Sequence, residues 1–186
     1  MIKNIGFKWI IMDIIKTLDE SQTVLLLVSS IGYNDMILDV AKKLSAKKKV
    51  CYITLNKTHD SLVENFKKKK IKVDNIMFVD AISRTIKQVP QGNKMVIYTS
   101  SPESLTELSL AISRCLKENP DYLIFDSLTN LLIYKDKEPC AKFISTIINK
   151  VKAGNTKAVL YALGNKQEDF LIQETGMFVD NVVSMK

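Results

Sequence analysis

The sequence predicts an α/β fold built on a mostly parallel β-sheet. Short, wholly apolar runs such as Thr23–Val28 are typical of strands that are buried on both faces. Longer segments with apolar residues at helical spacing stand between these runs. Because strands and helices alternate throughout the chain, we expect three layers, with helices on both faces of one sheet.

Length and composition favour a single domain without a structural metal. The 186 residues are 46% hydrophobic and 25% charged, which supports a core and excludes a disordered or collagen-like chain. Three widely spaced cysteines, Cys51, Cys115 and Cys140, form no CxxC pair, so neither a zinc site nor a disulfide framework is expected. The sequence contains no linker or repeat, so we predict one domain over residues 1–186. The widely spaced cysteines favour a reducing cytoplasm as the compartment.

An amphipathic helix is predicted from about Phe7 to Leu18, within residues 1–20. Its apolar face consists of Phe7, Ile10, Ile11, Ile14 and Leu18, and Trp9 and Met12 widen it. We favour packing on the flank of the domain, and the alternative is a helix that binds a partner or a membrane surface. Asp13 interrupts the apolar stretch Trp9–Ile15, so no membrane span is expected. No signal peptide is expected either, since no small-residue cleavage site follows a smooth apolar run.

The remaining elements follow in alternation. Further strands are predicted at Lys49–Leu55, Ile76–Val79, Met95–Tyr98, Asp121–Asp126, Lys157–Leu163 and Phe178–Met185. Helices are predicted after the turn at 29–35, around Leu62–Phe66, from Ser101-Pro102-Glu103 to about Glu118, from about Glu138 to Lys152, and before the last strand.

Lysine dominates the formal net charge of +7. It occurs in the runs 47–49 and 67–70, followed by Lys72, whereas arginine occurs only at Arg84 and Arg114. Both runs fall where helices should end, and cations suit that end of the helix dipole. Proteins that read nucleic acids usually add arginine and exposed aromatic side chains. A solvated lysine surface is therefore favoured, and a patch for nucleic acid or another acidic partner is the alternative.

The turn after the first strand is where a ligand is expected, since ligands of α/β sheets bind beyond the carboxyl ends of strands. A phosphate-binding P-loop needs a glycine-rich turn, a lysine, and a Ser or Thr hydroxyl for magnesium. The residues of this turn are Ser29, Ser30, Ile31, Gly32, Tyr33, Asn34 and Asp35. Tyr33, Asn34 and Asp35 thus stand where the lysine and hydroxyl should fall. The simplest interpretation is a plain loop, with Asn34 and Asp35 capping the next helix.

A second candidate is Asp126, which ends the apolar strand Tyr-Leu-Ile-Phe-Asp and is followed by Ser127. This is the form of a Walker B element, whose acid holds magnesium through water. Many buried strands end in aspartate, so the motif alone has little specificity. The structural alternative is that Asp126 caps Ser127 or the next turn.

The wider sequence around Asp126 resembles a known family. The segment Phe125–Leu132 resembles the Walker B segment of the RecA/KaiC-like ATPases of archaea and bacteria, and Phe178–Val183 resembles their last core strand, where Asp-Asn-Val-Val recurs. Thr54–Val63 is similar to the segment after their second strand. The resemblance implies a RecA-like P-loop NTPase core with strand 24–28 central and strand 157–163 between it and strand 121–126. It also implies ATP at the first turn and ring oligomers.

The chain differs from that family at the residues that would bind phosphate and catalyse hydrolysis. The P-loop lysine and hydroxyl are absent, and Leu55, Asn56 and Lys57 stand near where the acids that activate water would follow the second strand. Asp60 comes later and is interpreted as a helix cap. Phosphoryl transfer depends on positioning and charge stabilisation, so these losses should abolish it.

Three functions are therefore expected, in this order. The first is a catalytically degenerate, archaeal-type RecA/KaiC-like protein that has no catalytic residue and acts through a protein partner or self-association. The second is an ATP-binding ATPase, in which the N–H groups of Ser30–Tyr33 hold phosphate, Lys57 replaces the missing lysine and Asp126 holds magnesium through water. The third is non-specific nucleic-acid binding through the lysines.

Overall fold

The fold is an α/β sheet with helices on both faces. The computed structural model describes the backbone of residues 3–91, 94–164 and 170–184, and the side chains of those from residue 11 onward. Its strands are β1 Thr23–Val28, β2 Val50–Thr54, β3 Ile76–Asp80, β4 Val96–Tyr98, β5 Tyr122–Asp126, β6 Lys157–Leu163 and β7 Asn181–Ser184. They form a seven-stranded sheet in the order β4-β3-β2-β5-β6-β1-β7, and every adjacent pair is parallel. The predicted fold class is confirmed.

The helices connect these strands. They are α1 Lys3–Glu20, α2 Tyr33–Ser45, α3 His59–Lys68, α4 Ser83–Ile86, α5 Leu105–Leu116, α6 Leu128–Tyr134, α7 Lys137–Lys152 and α8 Phe170–Gly176. Two of them, α4 and α6, were not predicted. Helix α4 has only four residues, too few to show a helical period.

Side-chain alternation along the strands builds two cores, one on each face of the sheet. In β1, Leu25 and Leu27 pack in the core that α5, α6, α7 and α8 cover. Val24, Leu26 and Val28 belong to the opposite core, beneath α1, α2 and α3. Both faces of this strand are therefore dry, which explains why its sequence is apolar without interruption.

The position of β1 in the sheet differs in part from the expectation. As expected, β6 lies between β1 and β5. However, β1 is not central: it lies next to the edge strand β7, and β5 is the middle strand. An apolar run reports that both faces of a strand are buried, and this holds equally for every strand that helices cover.

Helix α5 begins later than predicted. Its first residue is Leu105, and Ser101-Pro102-Glu103 belongs to the preceding turn, in which the N–H of Ser104 donates to the carbonyl of Ser101 at 3.2 Å. The first-turn acid of the helix is Glu107, whose carboxylate accepts the N–H of Ser100 at 2.9 Å. This contact holds the turn before the helix, a role that the Ser-Pro-Glu pattern does not show.

A disulfide joins Cys51 of β2 to Cys115 of α5, although no disulfide framework was expected from the cysteine spacing. The two residues are 64 positions apart in the sequence, and their Cα atoms are 6.4 Å apart, within the range that a disulfide spans. The pairing arises because α5 packs on the sheet above β2, which sequence spacing cannot reveal. Cys140 is a buried free thiol.

The second half of α1 packs on the domain. Ile14 and Leu18 are fully buried in the core beside α2, whereas Met12 is exposed. Phe7, Trp9 and Ile10 lie outside the side chains that the structure describes. No helix in the described part of the chain is both long and apolar enough to cross a membrane.

Candidate functional site

The carboxylate of Asp126 is the centre of a buried polar cluster at the carboxyl end of β5. Its side chain has no exposed surface and accepts three hydrogen bonds. The Tyr33 hydroxyl donates to Oδ1 and the Tyr52 hydroxyl donates to Oδ2 at 2.7 Å. The side-chain amide of Asn56 also donates to Oδ1, at 3.2 Å. Asp126 is thus satisfied entirely by groups of this chain.

Three different elements bring these donors to Asp126. Tyr33 is the first residue of α2, directly after Gly32, whose φ of 93° lies in the left-handed region that favours glycine. Tyr52 projects from β2, the strand paired with β5. Asn56 lies in the connection between β2 and α3. The cluster therefore joins the turns that follow β1 and β2 to the end of β5.

Burial decides the protonation of this cluster. It raises the pKa of Asp126, and the hydrogen bonds from Tyr33 and Tyr52 together with the charge of Lys57 offset only part of that rise. Burial and then the nearby carboxylate of Asp126 also raise the pKa values of Tyr33 and Tyr52 far above their usual range. Both tyrosines therefore remain hydrogen-bond donors at every physiological pH.

A further tyrosine, Tyr161 of β6, completes the cluster. It is fully buried, and its ring packs edge to face against that of Tyr33, with the ring centroids 6.4 Å apart. Burial, followed by the charge of Asp126, raises its pKa as well. Its hydroxyl has no hydrogen-bond partner within the described residues, so one buried polar atom of the cluster is unsatisfied.

The rest of the first turn contacts neighbouring elements and does not cap α2. Gly32 occupies the N-cap position and no side chain caps the helix, so the predicted capping by Asn34 and Asp35 is wrong. Asn34 instead accepts a hydrogen bond from the ammonium of Lys57, and Asp35 forms a 2.8 Å ion pair with Lys69. Earlier in the turn, the hydroxyl of Ser29 donates to the carbonyl of Ile31, also at 2.8 Å.

The predicted cap at Asp60 is likewise wrong. Thr58 caps α3, since its hydroxyl accepts the N–H of Ser61 at 3.3 Å. Asp60 lies in the first turn of α3 and pairs with Lys87 at 2.5 Å. Thr58 occupies the N-cap position itself, whereas Asp60 lies within the helix and forms an ion pair at the surface.

Ser127 follows Asp126 at the N-cap position of α6, joined to it by a cis peptide bond. Its hydroxyl accepts a hydrogen bond from the amide of Asn130 at 3.1 Å and lies 3.2 Å from that of Thr129. The Thr129 hydroxyl in turn accepts the N–H of Leu163 on β6. Since the Asp126 side chain points to the tyrosines, the alternative that it caps Ser127 or the next turn is wrong.

The Asp-Asn-Val-Val segment has a structural role at the amino ends of the strands, on the opposite side of the sheet from Asp126. One carboxylate oxygen of Asp180 accepts the N–H groups of Gln22 and Thr23 at 3.0 and 2.8 Å, and the Thr23 hydroxyl at 2.9 Å. The other oxygen pairs with Lys152 at 2.7 Å. Asp180 thus ties the start of β7 to the start of β1.

Magnesium and a nucleoside triphosphate do not fit the groups around Asp126. Tyr33 stands where the resemblance places the lysine that would balance phosphate charge, and its hydroxyl donates to an Asp126 oxygen through which a carboxylate would bind a metal-bound water. Asn56, near the position of the activating acid, presents an amide that donates to the same carboxylate. A metal-bound water would have to displace a tyrosine from a fully buried site.

Sequence reasoning selected Tyr33 and Asp126 separately and missed the contact between them. It also missed Tyr52, Tyr161 and the contact of Asn56 with the carboxylate. The available signal was a tyrosine directly after the turn glycine. A bulky side chain at the position of the P-loop lysine must fill the space that the lysine and the phosphate would otherwise occupy. Tyr52 and Tyr161 lie in apolar strands and show no such signal.

Comparisons with known proteins agree with this architecture. Neither a protein-family model nor a curated protein sequence matches the chain. Among solved structures, the chain is similar to a KaiC-like protein from the hyperthermophilic archaeon Pyrococcus horikoshii OT3, with a TM-score of 0.61 and 13% sequence identity. The match covers 89% of this chain and 72% of that protein. The likeness shows that the chain has a KaiC-like fold, in agreement with a RecA-like core.

Proposed function

We propose that this chain is a catalytically degenerate RecA/KaiC-like protein that acts by binding another protein or a second copy of itself. The hydrogen bond from Tyr33 to Asp126 is the observation that carries this proposal. It supports the proposal because the residue that stands in place of the P-loop lysine also occupies an oxygen of the Walker B-like acid.

The energetics of the cluster favour this closed arrangement. Asp126 is fully buried, and moving Tyr33 away from it would leave a buried acceptor without one of its donors. An unsatisfied buried group costs about 1–3 kcal/mol, and more if it is charged. A nucleotide would have to offset this cost without the usual lysine, so weak or no binding is expected.

The described residues directly after β2 also provide no base for hydrolysis. Asn56 and Lys57 occupy the start of the connection after β2, where the resemblance places acidic residues. The Asn56 amide donates to Asp126, and the ammonium of Lys57 donates to Asn34. Neither group can accept a proton from an attacking water.

One observation favours the alternative of an ATP-binding protein with a variant loop. Because Lys57 bonds to Asn34 in the first turn of α2, its ammonium lies beside the turn that would hold phosphate. A lysine from the β2–α3 connection is therefore positioned to serve a phosphate bound by Ser30, Gly32 and the N-terminus of α2.

Calorimetric titration of ATP and ADP with magnesium separates these two functions. We expect no heat of binding at millimolar nucleotide. Micromolar binding that Lys57→Gln abolishes, with Lys135→Gln as a matched surface control, would overturn the proposal in favour of the variant loop. Asp126→Asn serves as a second variant, and circular dichroism of each protein confirms folding before titration.

The proposed interaction is supported by exposed apolar side chains in the two segments that follow β1 and β5. Ile31 in the first turn is 85% exposed and Ile133 on α6 is 72% exposed. Sedimentation velocity over a range of protein concentrations measures self-association. A concentration-dependent dimer or ring that Ile31→Ser weakens, but that Leu110→Ser on α5 does not, would assign these segments to self-association. A monomer at all concentrations would leave a different protein as the partner.

A further inference from the structure

The net positive charge of the protein lies at the amino ends of four neighbouring strands of the sheet. In a parallel α/β fold, the chain returns through each helix to the amino end of the next strand. The segments that arrive at β2, β3, β4 and β5 are residues 47–49, 67–76, 94–95 and 117–122, and we call them the amino-edge lysine face. They contain ten lysines and three acidic residues. The rest of the chain has as many acidic as basic side chains, so this face accounts for the whole formal charge of +7.

The four segments form a continuous surface. Strands β4, β3, β2 and β5 are successive neighbours in the sheet, and adjacent strands lie about 4.8 Å apart. Lys49 and Lys94, which precede β2 and β4, line the same cavity of about 200 Å³, together with the acidic residues Asp74 and Glu118. The ammonium of Lys42 donates to the carbonyl of Lys69 at 2.9 Å and joins the ends of α2 and α3.

Eight of the ten lysines of this face form no ion pair within the described part of the chain. Lys48 pairs with Asp121 at 2.9 Å, and Lys69 reaches Asp35. The lysines that are exposed and form no ion pair with any described residue are Lys47, Lys49, Lys67, Lys68, Lys70, Lys72, Lys94 and Lys117. At the amino ends of the other three strands, by contrast, Lys152 pairs with Asp180 and Lys157 donates to main-chain carbonyls of α1.

Helix dipoles account for only part of this concentration of charge, since Lys67 and Lys68 lie in the last turn of α3 and Lys69 is its C-cap residue. The last turn of α2 already contains Lys42 and Lys43, and Lys47–Lys49 lie beyond its end at Ser45. Dipole effects fall off within the last turn of a helix. Adjacent like charges also repel one another, so the unpaired lysines destabilise the free protein and a bound polyanion would relieve that repulsion.

We propose that the amino-edge lysine face binds the phosphate backbone of nucleic acid without reading its sequence. Lysines contact phosphates as point charges and position a protein on a duplex, whereas base reading and single-strand stacking use arginine and aromatic side chains. A protein partner would call for an apolar centre, and Met95 is the one exposed large apolar residue among the described residues of the face. The face lies at the edge of the sheet opposite to Asp126, so this binding is independent of the nucleotide question.

Fluorescence anisotropy with a short labelled DNA duplex tests the proposal. We expect binding at about 50 mM salt and a fall in affinity of roughly 10²–10³-fold at about 200 mM, the loss for four to six phosphate contacts. Duplexes of unrelated sequence should bind equally. Replacing Lys47, Lys49, Lys68 and Lys72 with glutamine should weaken binding at least tenfold.

A matched variant changes the same amount of charge elsewhere. Glutamine at Lys16, Lys135, Lys137 and Lys142, which are all exposed, should leave most of the DNA affinity intact. Equal losses in both quadruple variants, or no binding at low salt, would overturn the proposal. It would also be overturned if polyglutamate or phosphatidylserine vesicles bound as tightly as DNA, because the face would then select another acidic partner. Tyr33→Phe and Asp126→Asn should not alter DNA affinity, whatever they do to nucleotide binding.

Discussion

The hydroxyl of Tyr33 donates a hydrogen bond to the carboxylate of Asp126, although the two residues are 93 positions apart in the chain. This contact closes the carboxyl edge of the sheet between β1 and β5, where a P-loop protein would receive phosphate and magnesium. The side chain of Tyr33, which follows the turn glycine, occupies this space. The contact therefore links the KaiC-like fold to the proposed loss of catalysis.

Tyr33→Phe should destabilise the protein by about 1–3 kcal/mol, because the buried carboxylate loses a donor while water gains no access. Urea unfolding at neutral pH measures this change in the free energy of unfolding. Tyr122→Phe, at a partly exposed tyrosine of β5, is the control and should change stability by less. Equal effects of the two substitutions would contradict a central role for the Tyr33 contact.

The stability difference between the wild type and Asp126→Asn should depend on pH. Burial raises the folded-state pKa of Asp126 above its unfolded value of 3.8, so folding favours the protonated acid. The stability that this shift contributes is complete below pH 3.8 and is lost as pH rises through the folded pKa. Unfolding free energies of both proteins from acidic to mildly alkaline pH should show the substitution becoming relatively more favourable as pH rises. A constant difference would show that the Asp126 pKa is not raised.

Asp180→Asn should act in the opposite direction with pH. Burial alone would raise the pKa of Asp180, but the hydrogen bonds from Lys152 and Thr23 outweigh it and hold the pKa below its usual value. The stability from this carboxylate is present above pH 3.8 and is lost as pH falls through the folded pKa. Because the side chain is about one-third exposed, we expect a loss of only about 1 kcal/mol at neutral pH.

Thermal unfolding at neutral and strongly acidic pH would measure that loss, with the exposed Asp74→Asn as control. The cost of Asp180→Asn should shrink on acidification. Hydrogen exchange adds a local readout, since β7 should exchange faster when its tie to β1 is weakened. Unchanged protection of Val182 and Val183 would argue against this role of Asp180.

Reduction of the Cys51–Cys115 disulfide should lower the stability of the wild type by about 2–4 kcal/mol, since the bond closes a loop of 64 residues. Urea unfolding with and without a phosphine reductant measures the effect. Cys115→Ser should remove the dependence on reductant, whereas Cys140→Ser should retain it. Alkylation of the unfolded, unreduced wild type at all three cysteines would show that the bond does not form.

Local sequence patterns determined most of the secondary structure and the fold class. The apolar run Thr23–Val28 forms a strand with the predicted bounds, as does Lys157–Leu163, because burial on both faces leaves no polar position in such a strand. Helical periodicity was sufficient for α2 and α7. The resemblance to the RecA/KaiC-like ATPases implied that β6 lies between β1 and β5, which the sheet confirms, but its central place for β1 is wrong.

Tertiary structure alone decided what the polar groups of this protein contact. The bond of Tyr33 to Asp126, the pairing of Cys51 with Cys115, and the shared cavity of Lys49 and Lys94 all join residues far apart in the chain. Periodicity reports which face of an element is buried, because burial depends on the average polarity of that face. It carries no information on which distant side chain lies opposite, since that depends on the order of strands and on how the helices pack across them.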